Sequence, residues 1–405
     1  MSARWIRGPV GPDADRRVTV AGCRTVLVVV PHPAAGTRLL SDVVPLLRDD
    51  PRVQVVFSVT DTGQRWHGTE DQVRARGGLV VPWDQATQLD FDLVLAAGYN
   101  DIDQVRGPLL LLPHGAGTLA SRRYSRHAGP GALPHTGLSR ESLTRRGRVL
   151  PAAIGLSHED EVAALRTSCP EALHTAVVVG DPCLDRMVAS APLRSRYREA
   201  LGVPEDGRLV TVSSTWAPDS AFGSRPSLCR ALLDELPAER YRVALVLHPN
   251  AWAVHGRWQV RAWLHECVEA GLLVIPPEEG WRATVVASDH VLGDHGSTTQ
   301  YAAAIGTPVA LASFPDGNVR RGSLADAVRR CCPRVDPTRP LLPQLPAAVP
   351  GSGASHLAGL VSSRPGAAAA ELRRTMYRLL DLPEPTGPAR VEAVPAPVPL
   401  RPDPT

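Results

Sequence analysis

The sequence predicts an α/β protein made of two Rossmann-like, doubly wound domains facing each other across a cleft. Three observations predict it. Short apolar, β-branched runs recur along the chain, as in strands buried on both faces of a parallel sheet. Helix-length segments separate them. A break near residues 191–207 is followed by a second series of the same alternation. Size agrees, because 405 residues exceed one typical core.

The first domain is expected over 23–190, after a flexible N-terminus at 1–22. Its strands are expected at 25–30, 53–59, 79–82, 91–97, 108–112, 149–155 and 176–179. A loop over 31–37 should lead into a helix at 39–47, and a polar Arg/Gly/His-rich loop should fill 121–147. The linker 191–207 is punctuated by Gly202 and Gly207. The second domain, 208–345, has strands expected at 209–213, 241–247, 272–275 and 290–292, and a last one after the Gly306-Thr307-Pro308 break. Its helices are expected at 226–236, 260–270, 281–288 and from Ser297 onward. A helical segment follows at 346–382. The tail 383–405 is rich in Pro, Ala and Val without periodicity, and reads as disordered.

Composition excludes several chemistries. No lysine occurs, so all 44 basic side chains are Arg. A Walker-type phosphate loop, a Schiff base and a pyridoxal-phosphate lysine are therefore out of reach. Anions must be held by Arg, His, hydroxyls or backbone N–H groups. The net charge of +3 is small for the length and gives no electrostatic footprint for nucleic acid. Seven cysteines, without a CxxC spacing, read as reduced thiols rather than a disulfide framework or zinc site. The N-terminus has no apolar signal core, and no apolar run is long enough to span a bilayer. The expectation is a cytoplasmic protein with no metal, no cofactor and no transmembrane segment, which leaves peripheral membrane contact open.

The candidate functional residues lie just beyond expected strands, where open α/β sheets bind ligands. His114 follows the strand 108–112 and is flanked by Gly115 and Gly117, so it reads either as a general base or as a turn histidine. His248, before Pro249, repeats the arrangement in the second domain, as a donor to a phosphate oxygen or as a loop histidine. Ser213, Ser214 and Thr215 end the first strand of that domain. Asp294, His295, Gly296, Ser297, Thr298 and Thr299 sit where a helix should begin. Helix N-termini carry unpaired N–H groups and a partial positive charge, so this turn reads as a phosphate cradle or as an ordinary N-cap. His158-Glu159-Asp160-Glu161 contains metal-ligand residue types, but successive helical residues do not converge, and a solvated helix start is the reading.

Taken in order, these pieces resemble the CDP-glycerol glycerophosphotransferase family, within the GT-B glycosyltransferase and UDP-N-acetylglucosamine 2-epimerase fold group. The resemblance spans roughly residues 90–315. A His-Gly-Thr motif corresponds to His114-Gly115-Ala116-Gly117-Thr118, and a Gly-x-Pro-x-x-Asp junction to Gly180-Asp181-Pro182-Cys183-Leu184-Asp185. A Pro-Thr-Trp turn corresponds to Ser214-Thr215-Trp216, an Arg-x-His-Pro motif to Val246-Leu247-His248-Pro249, and an Asp-Tyr-Ser-Ser turn to Asp294-His295-Gly296-Ser297-Thr298. The chain departs where Val246 replaces the basic residue, where His295 replaces the aromatic one, and where Arg122 and Arg123 stand near an expected Lys.

The resemblance implies a metal-independent, GT-B-like transferase acting on a nucleotide-diphosphate donor and a hydroxyl acceptor. His114 would be the base and His248 would stabilise the leaving group. Ser297 and Thr298 would bind the pyrophosphate. A nucleotide-sugar epimerase or hydrolase, and a catalytically silent nucleotide-binding or regulatory protein, are the other readings of the same residues.

Overall fold

The computed structural model describes residues 5–61, 66–117, 137–316, 319, 321–345 and 351–401. By internal contacts, the described residues within Met1–Leu119, Pro134–Cys183 and Ser363–Val391 form unit 1. Those within Leu184–Ser362 and Glu392–Thr405 form unit 2.

Unit 1 contains β1 (Arg24–Val30), β2 (Val53–Val59), β3 (Leu93–Ala96), β4 (Leu109–Leu111), β5 (Thr144–Arg145), β6 (Arg148–Val149), β7 (Ala153–Leu156) and β8 (Ala176–Val178). Six of these form one parallel sheet in the order β2-β1-β3-β4-β7-β8, and β5 and β6 make a small antiparallel hairpin. Unit 2 contains β9 (Arg208–Ser214), β10 (Tyr241–Leu247), β11 (Leu273–Ile275), β12 (His290–Gly293) and β13 (Val309–Leu311), parallel in the order β11-β10-β9-β12-β13. The expected α/β class with two doubly wound parallel sheets is what the chain forms.

Each sheet starts in its middle and reverses direction. In unit 1 the reversal lies between β1 and β3, and in unit 2 between β9 and β12. At such switch points the loops leaving neighbouring strands diverge, which opens a crevice at their C-terminal ends. The apolar runs work as the sequence implies. Val26 to Val30, Leu93 and Leu95 are wholly buried, so truncating one of the leucines to alanine is a cavity mutation costing about 2–5 kcal/mol.

Several boundaries differ from expectation for identifiable reasons. The loop expected at 31–37 is helical over Pro33–Arg38, because His32 caps that helix and Pro33 occupies its first turn. The helix expected at 39–47 continues instead as a π turn at Leu39–Val43 and a 3-10 turn at Val44–Leu47, with Pro45 in the latter. Residues 79–82 give only an isolated bridge, Val80 to Phe57, before Pro82. The strand expected at 149–155 divides on either side of Pro151 into β6 and β7. The helix expected at 260–270 starts already at Pro249 and runs to Glu269, broken at Gly256, whose φ is 77°.

The last segments also carry structure. Helix Ala368–Leu379 is fastened to unit 1 by Tyr377, whose hydroxyl donates to Asp50 at 2.7 Å, while Arg52 pairs with the same carboxylate at 2.7 Å. Residues 383–401 contain neither helix nor strand, as their composition implies. They are nevertheless fixed at named points. Arg52 donates to the Pro383 carbonyl and Arg373 pairs with Glu384. The Val394 amide donates to Ser190, its carbonyl accepts from Tyr197, and the Leu400 amide donates to the Val274 carbonyl. Periodicity reports only regular elements, and a proline-rich strap held by scattered donors leaves no trace in it.

Candidate functional site

In unit 1 the strand ends assemble an imidazole pair. His114 follows β4 and His32 follows β1, and their rings meet edge to face with centroids 4.8 Å apart. The His32 Nδ1 accepts the Ala35 amide at 3.2 Å, so in the neutral ring its proton sits on Nε2. Behind the pair lies a buried guanidinium. Arg38 donates to the Gly115 carbonyl at 2.8 Å and pairs with Asp181 at 3.1 Å and Asp42 at 3.4 Å. All three charged side chains are buried.

His114 is an exposed residue, yet protein atoms crowd the ring. Burial, and then the Arg38 charge, push its pKa down to about 4, against an upward pull from the Ala97 carbonyl. Water at this exposed residue screens part of both effects. The imidazole is therefore neutral at physiological pH and retains a lone pair, which a proton acceptor requires.

Local backbone supports this placement. Gly117 has a φ of 83°, and a Cβ there would lie 3.2 Å from Glu161. Glu161 in turn accepts the Ser157 and His158 amides at 2.7 and 3.2 Å, closing a capping box with His158. The His158 cluster is thus a helix start, as expected. Thr118, Arg122, Arg123, His127 and His135 lie outside the described residues. Among the described residues, no group of three or more His, Cys, Asp or Glu side chains is placed to hold a metal ion.

In unit 2 the hub is a carboxylate. Asp294 follows β12 and is fully buried. Its Oδ2 accepts the Thr215 amide at 2.8 Å, the Thr215 hydroxyl at 2.9 Å and the Ala221 amide at 2.9 Å, and its Oδ1 accepts the Gly296 amide at 2.9 Å. One side chain thereby ties the loop after β9 to the turn after β12, across the switch point of the sheet. Asp294 positions the turn, and its oxygens are committed to these donors.

The remaining predicted residues divide by where their groups go. Ser214 is buried, donates to the Thr215 carbonyl and accepts the Phe222 amide, which closes the β9 loop. Thr299 is buried against Gly293, and its hydroxyl accepts the Asp294 amide at 3.3 Å. Ser213 and His295 are buried as well. The His295 ring meets Phe314 edge to face, and its carbonyl accepts from Gln300. Gly296, Ser297 and Thr298 are partly accessible. They form the N-terminus of helix Ser297–Ala304, where Gly296 is the cap without a side-chain bond. Gly296 is required by close approach, since a Cβ would stand 2.6 Å from Thr215 Cγ2.

His248 ends β10. Its amide donates to the Ser214 carbonyl at 2.9 Å, which fixes it beside the β9 loop. Its Nδ1 accepts the Asn250 amide at 3.1 Å, leaving the neutral ring with its proton on Nε2. Two residues beyond it stands one the sequence did not single out. The Asn250 side chain is buried and its Oδ1 has no hydrogen-bond partner among the described residues. Sequence reasoning noted His32 only as a less persuasive histidine after the first strand, and missed Arg38 and Asp42. The only available signal was the twin His-Pro step, His32-Pro33 and His248-Pro249, each directly after an apolar strand.

No protein-family model matches this chain, and no curated protein matches it. Solved structures share its general course. The wall teichoic acid polymerase TagF is 13% identical with a TM-score of 0.47, over 71% of this chain and 69% of that one. MnaA from S. aureus, solved with UDP, is 14% identical with a TM-score of 0.49, over 90% of this chain and 100% of that one. HepE from Anabaena, solved with UDP-glucose, is 15% identical with a TM-score of 0.45, over 88% and 99%. At this level of similarity no activity passes from those proteins to this chain. No helix among the described residues is long and apolar enough to cross a membrane.

Proposed function

We propose that the chain is a GT-B-like transferase that takes a nucleotide-diphosphate donor and moves its glycerophosphate, polyol-phosphate or sugar group to a hydroxyl acceptor. The Asp294 hub is the observation that carries this reading. A buried carboxylate gathers the surrounding amides and, through Gly296, holds the start of helix Ser297–Ala304 at the strand switch point. The first-turn amides of a helix have no intrahelical partner. With the Ser297 and Thr298 hydroxyls they provide donors for a pyrophosphate without any lysine.

In unit 1 the neutral His114 takes the proton of the acceptor hydroxyl as its oxygen bonds to the transferred centre. The bond from that centre to the nucleotide phosphate breaks, and the electron pair stays on the departing phosphate. Ser297, Thr298 and the His248 Nε2–H neutralise the charge that develops there. This set of donors has no need of a metal or cofactor.

The test is His114→Ala assayed beside calorimetry with CDP and UDP. The proposal expects loss of turnover with nucleotide affinity retained. Undiminished turnover would remove His114 from the reaction, and no nucleotide binding by the wild-type chain would remove the donor site.

A further inference from the structure

Unit 2 carries a concavity at the end of its sheet away from the Gly296 turn. A cavity of about 700 Å³ opens where β9, β12 and β13 begin, beside Arg208, His290 and Pro308. β9 is seven residues long, and at about 3.3 Å per residue roughly 20 Å of strand separates this end from the Gly296 turn. The cavity is therefore no extension of the donor site. Its size suits a small-molecule ligand, for which roughly 300–1,000 Å³ is usual.

The wall is mainly apolar, formed by Met187, Val286, Ile305, Pro308, Ala354 and Ala358. Most polar groups on it are committed. Arg194 donates to the Val286 and Ser288 carbonyls and pairs with Asp289 at 2.8 Å. The Asp289 carboxylate also takes Arg198 at 2.6 Å and the Leu209 amide at 2.7 Å. Ser288 and Thr307 bond within the protein.

Arg208 lines the same cavity and is exposed. Among the described residues its guanidinium makes no hydrogen bond or ion pair. The lining thus offers an apolar body site, a carboxylate already neutralised by two arginines, and one uncommitted positive charge.

We propose that this cavity binds an amphipathic anion, an aliphatic chain bearing one carboxylate or phosphate head. The chain would lie on Ile305, Pro308 and the Ala354–Ala358 face, and the head would pair with Arg208. Such a ligand joins the residues entering unit 2 at Met187 to the sheet edge and to helix Gly351–Val361, so binding raises the stability of the unit. The proposal is independent of the donor site.

The experiment uses the full chain without nucleotide. Thermal unfolding and calorimetry are run with decanoate and decyl phosphate below their micellar concentrations, and with decanol and inorganic phosphate for comparison. The expected result is saturable binding of one or both amphipathic anions to a single site, with decanol at least ~10-fold weaker and inorganic phosphate without effect. Arg208→Ala should lower the affinity ~10-fold and leave ligand-free stability unchanged. Ala358→Trp should fill the cavity and abolish binding.

Failure of both anions to bind would overturn the proposal. So would equal binding of decanol, phosphate binding as tight as that of the amphiphiles, or unchanged affinity in Arg208→Ala. Binding retained by a folded Ala358→Trp chain would do the same.

Discussion

The strand ends of unit 1 and of unit 2 share a topology and differ in the buried groups behind them. Both sit at a switch point of a parallel sheet, and in both a His-Pro step caps a helix directly after a strand. Behind the unit 1 loop is a cation, Arg38, braced by Asp42 and Asp181. Behind the unit 2 turn is an anion, Asp294, enclosed by backbone and hydroxyl donors. Burial, and then the Arg38 charge, keep the neighbouring imidazole neutral, as a proton acceptor must be. The anion absorbs nearby donors and arranges a helix N-terminus that suits a phosphate. One scaffold thus places an imidazole near a buried guanidinium in one unit and a helix N-terminus beside a buried carboxylate in the other.

Breaking the two hubs should give the largest effects. Asp294→Ala deprives three backbone amides and one hydroxyl of their common acceptor, and the expected cost is about 3–5 kcal/mol. Arg38→Met leaves Asp42 and Asp181 buried without their shared cation, with a cost of the same order. Denaturant unfolding measures both. A loss below about 1 kcal/mol in either variant would mean that its hub is not what holds the strand-end loop.

Next in size is the separation of proton transfer from anion binding. His114→Gln should lower kcat by ~10²–10⁴-fold with nucleotide affinity unchanged, whereas Gly296→Ala, which drives a methyl into Thr215, should lower affinity first. If both substitutions affect the same parameter, the division of labour is wrong.

The pH dependence sharpens the same contrast. The folded-state pKa of His114 is held down at about 4 by burial and Arg38, below the usual value near 6.5. The unfolded chain therefore binds the proton more readily. The stability that His114 contributes is fully present above pH ~6.5 and is lost as pH falls through about 4. Replacing His114 by Gln should flatten the decline of stability over that window, and acid titration of both proteins measures it.

The smallest effect concerns neither strand end. Arg52 and Tyr377 hold the Asp50 carboxyl well below the usual carboxylate range, against the opposing pull of burial. Tyr377→Phe should cost about 1–2 kcal/mol near neutral pH, a cost that vanishes as acid protonates Asp50.

How much of this was legible follows from the range of each interaction. Strands such as β2 and β10 match their expected bounds residue for residue, because Val, Leu and aromatic residues dominate each run. The helix start at Ser297 was legible from its small polar turn. The hubs were not. Arg38 and Asp181 are separated by 143 positions, and Asp294 and Thr215 by 79, so no local pattern joins them. Asp294 was read as part of a phosphate-binding turn through the resemblance to an Asp-Tyr-Ser-Ser motif, and only the fold shows its oxygens turned to protein donors. Asn250 could not be singled out either, since an unmet acceptor is a property of its surroundings. His32 fell within a stretch read as loop, and its helix cap emerged only with the backbone.

The most direct measurement of the central claim is calorimetry of CDP and UDP binding to Ser297→Asp beside its thermal unfolding. An aspartate in the first turn of helix Ser297–Ala304 favours the helix dipole, so stability should be equal or higher. The same carboxylate repels a pyrophosphate, so nucleotide-diphosphate affinity should fall by ~100-fold or more. Retained affinity in a folded Ser297→Asp chain would contradict an anion site at this turn.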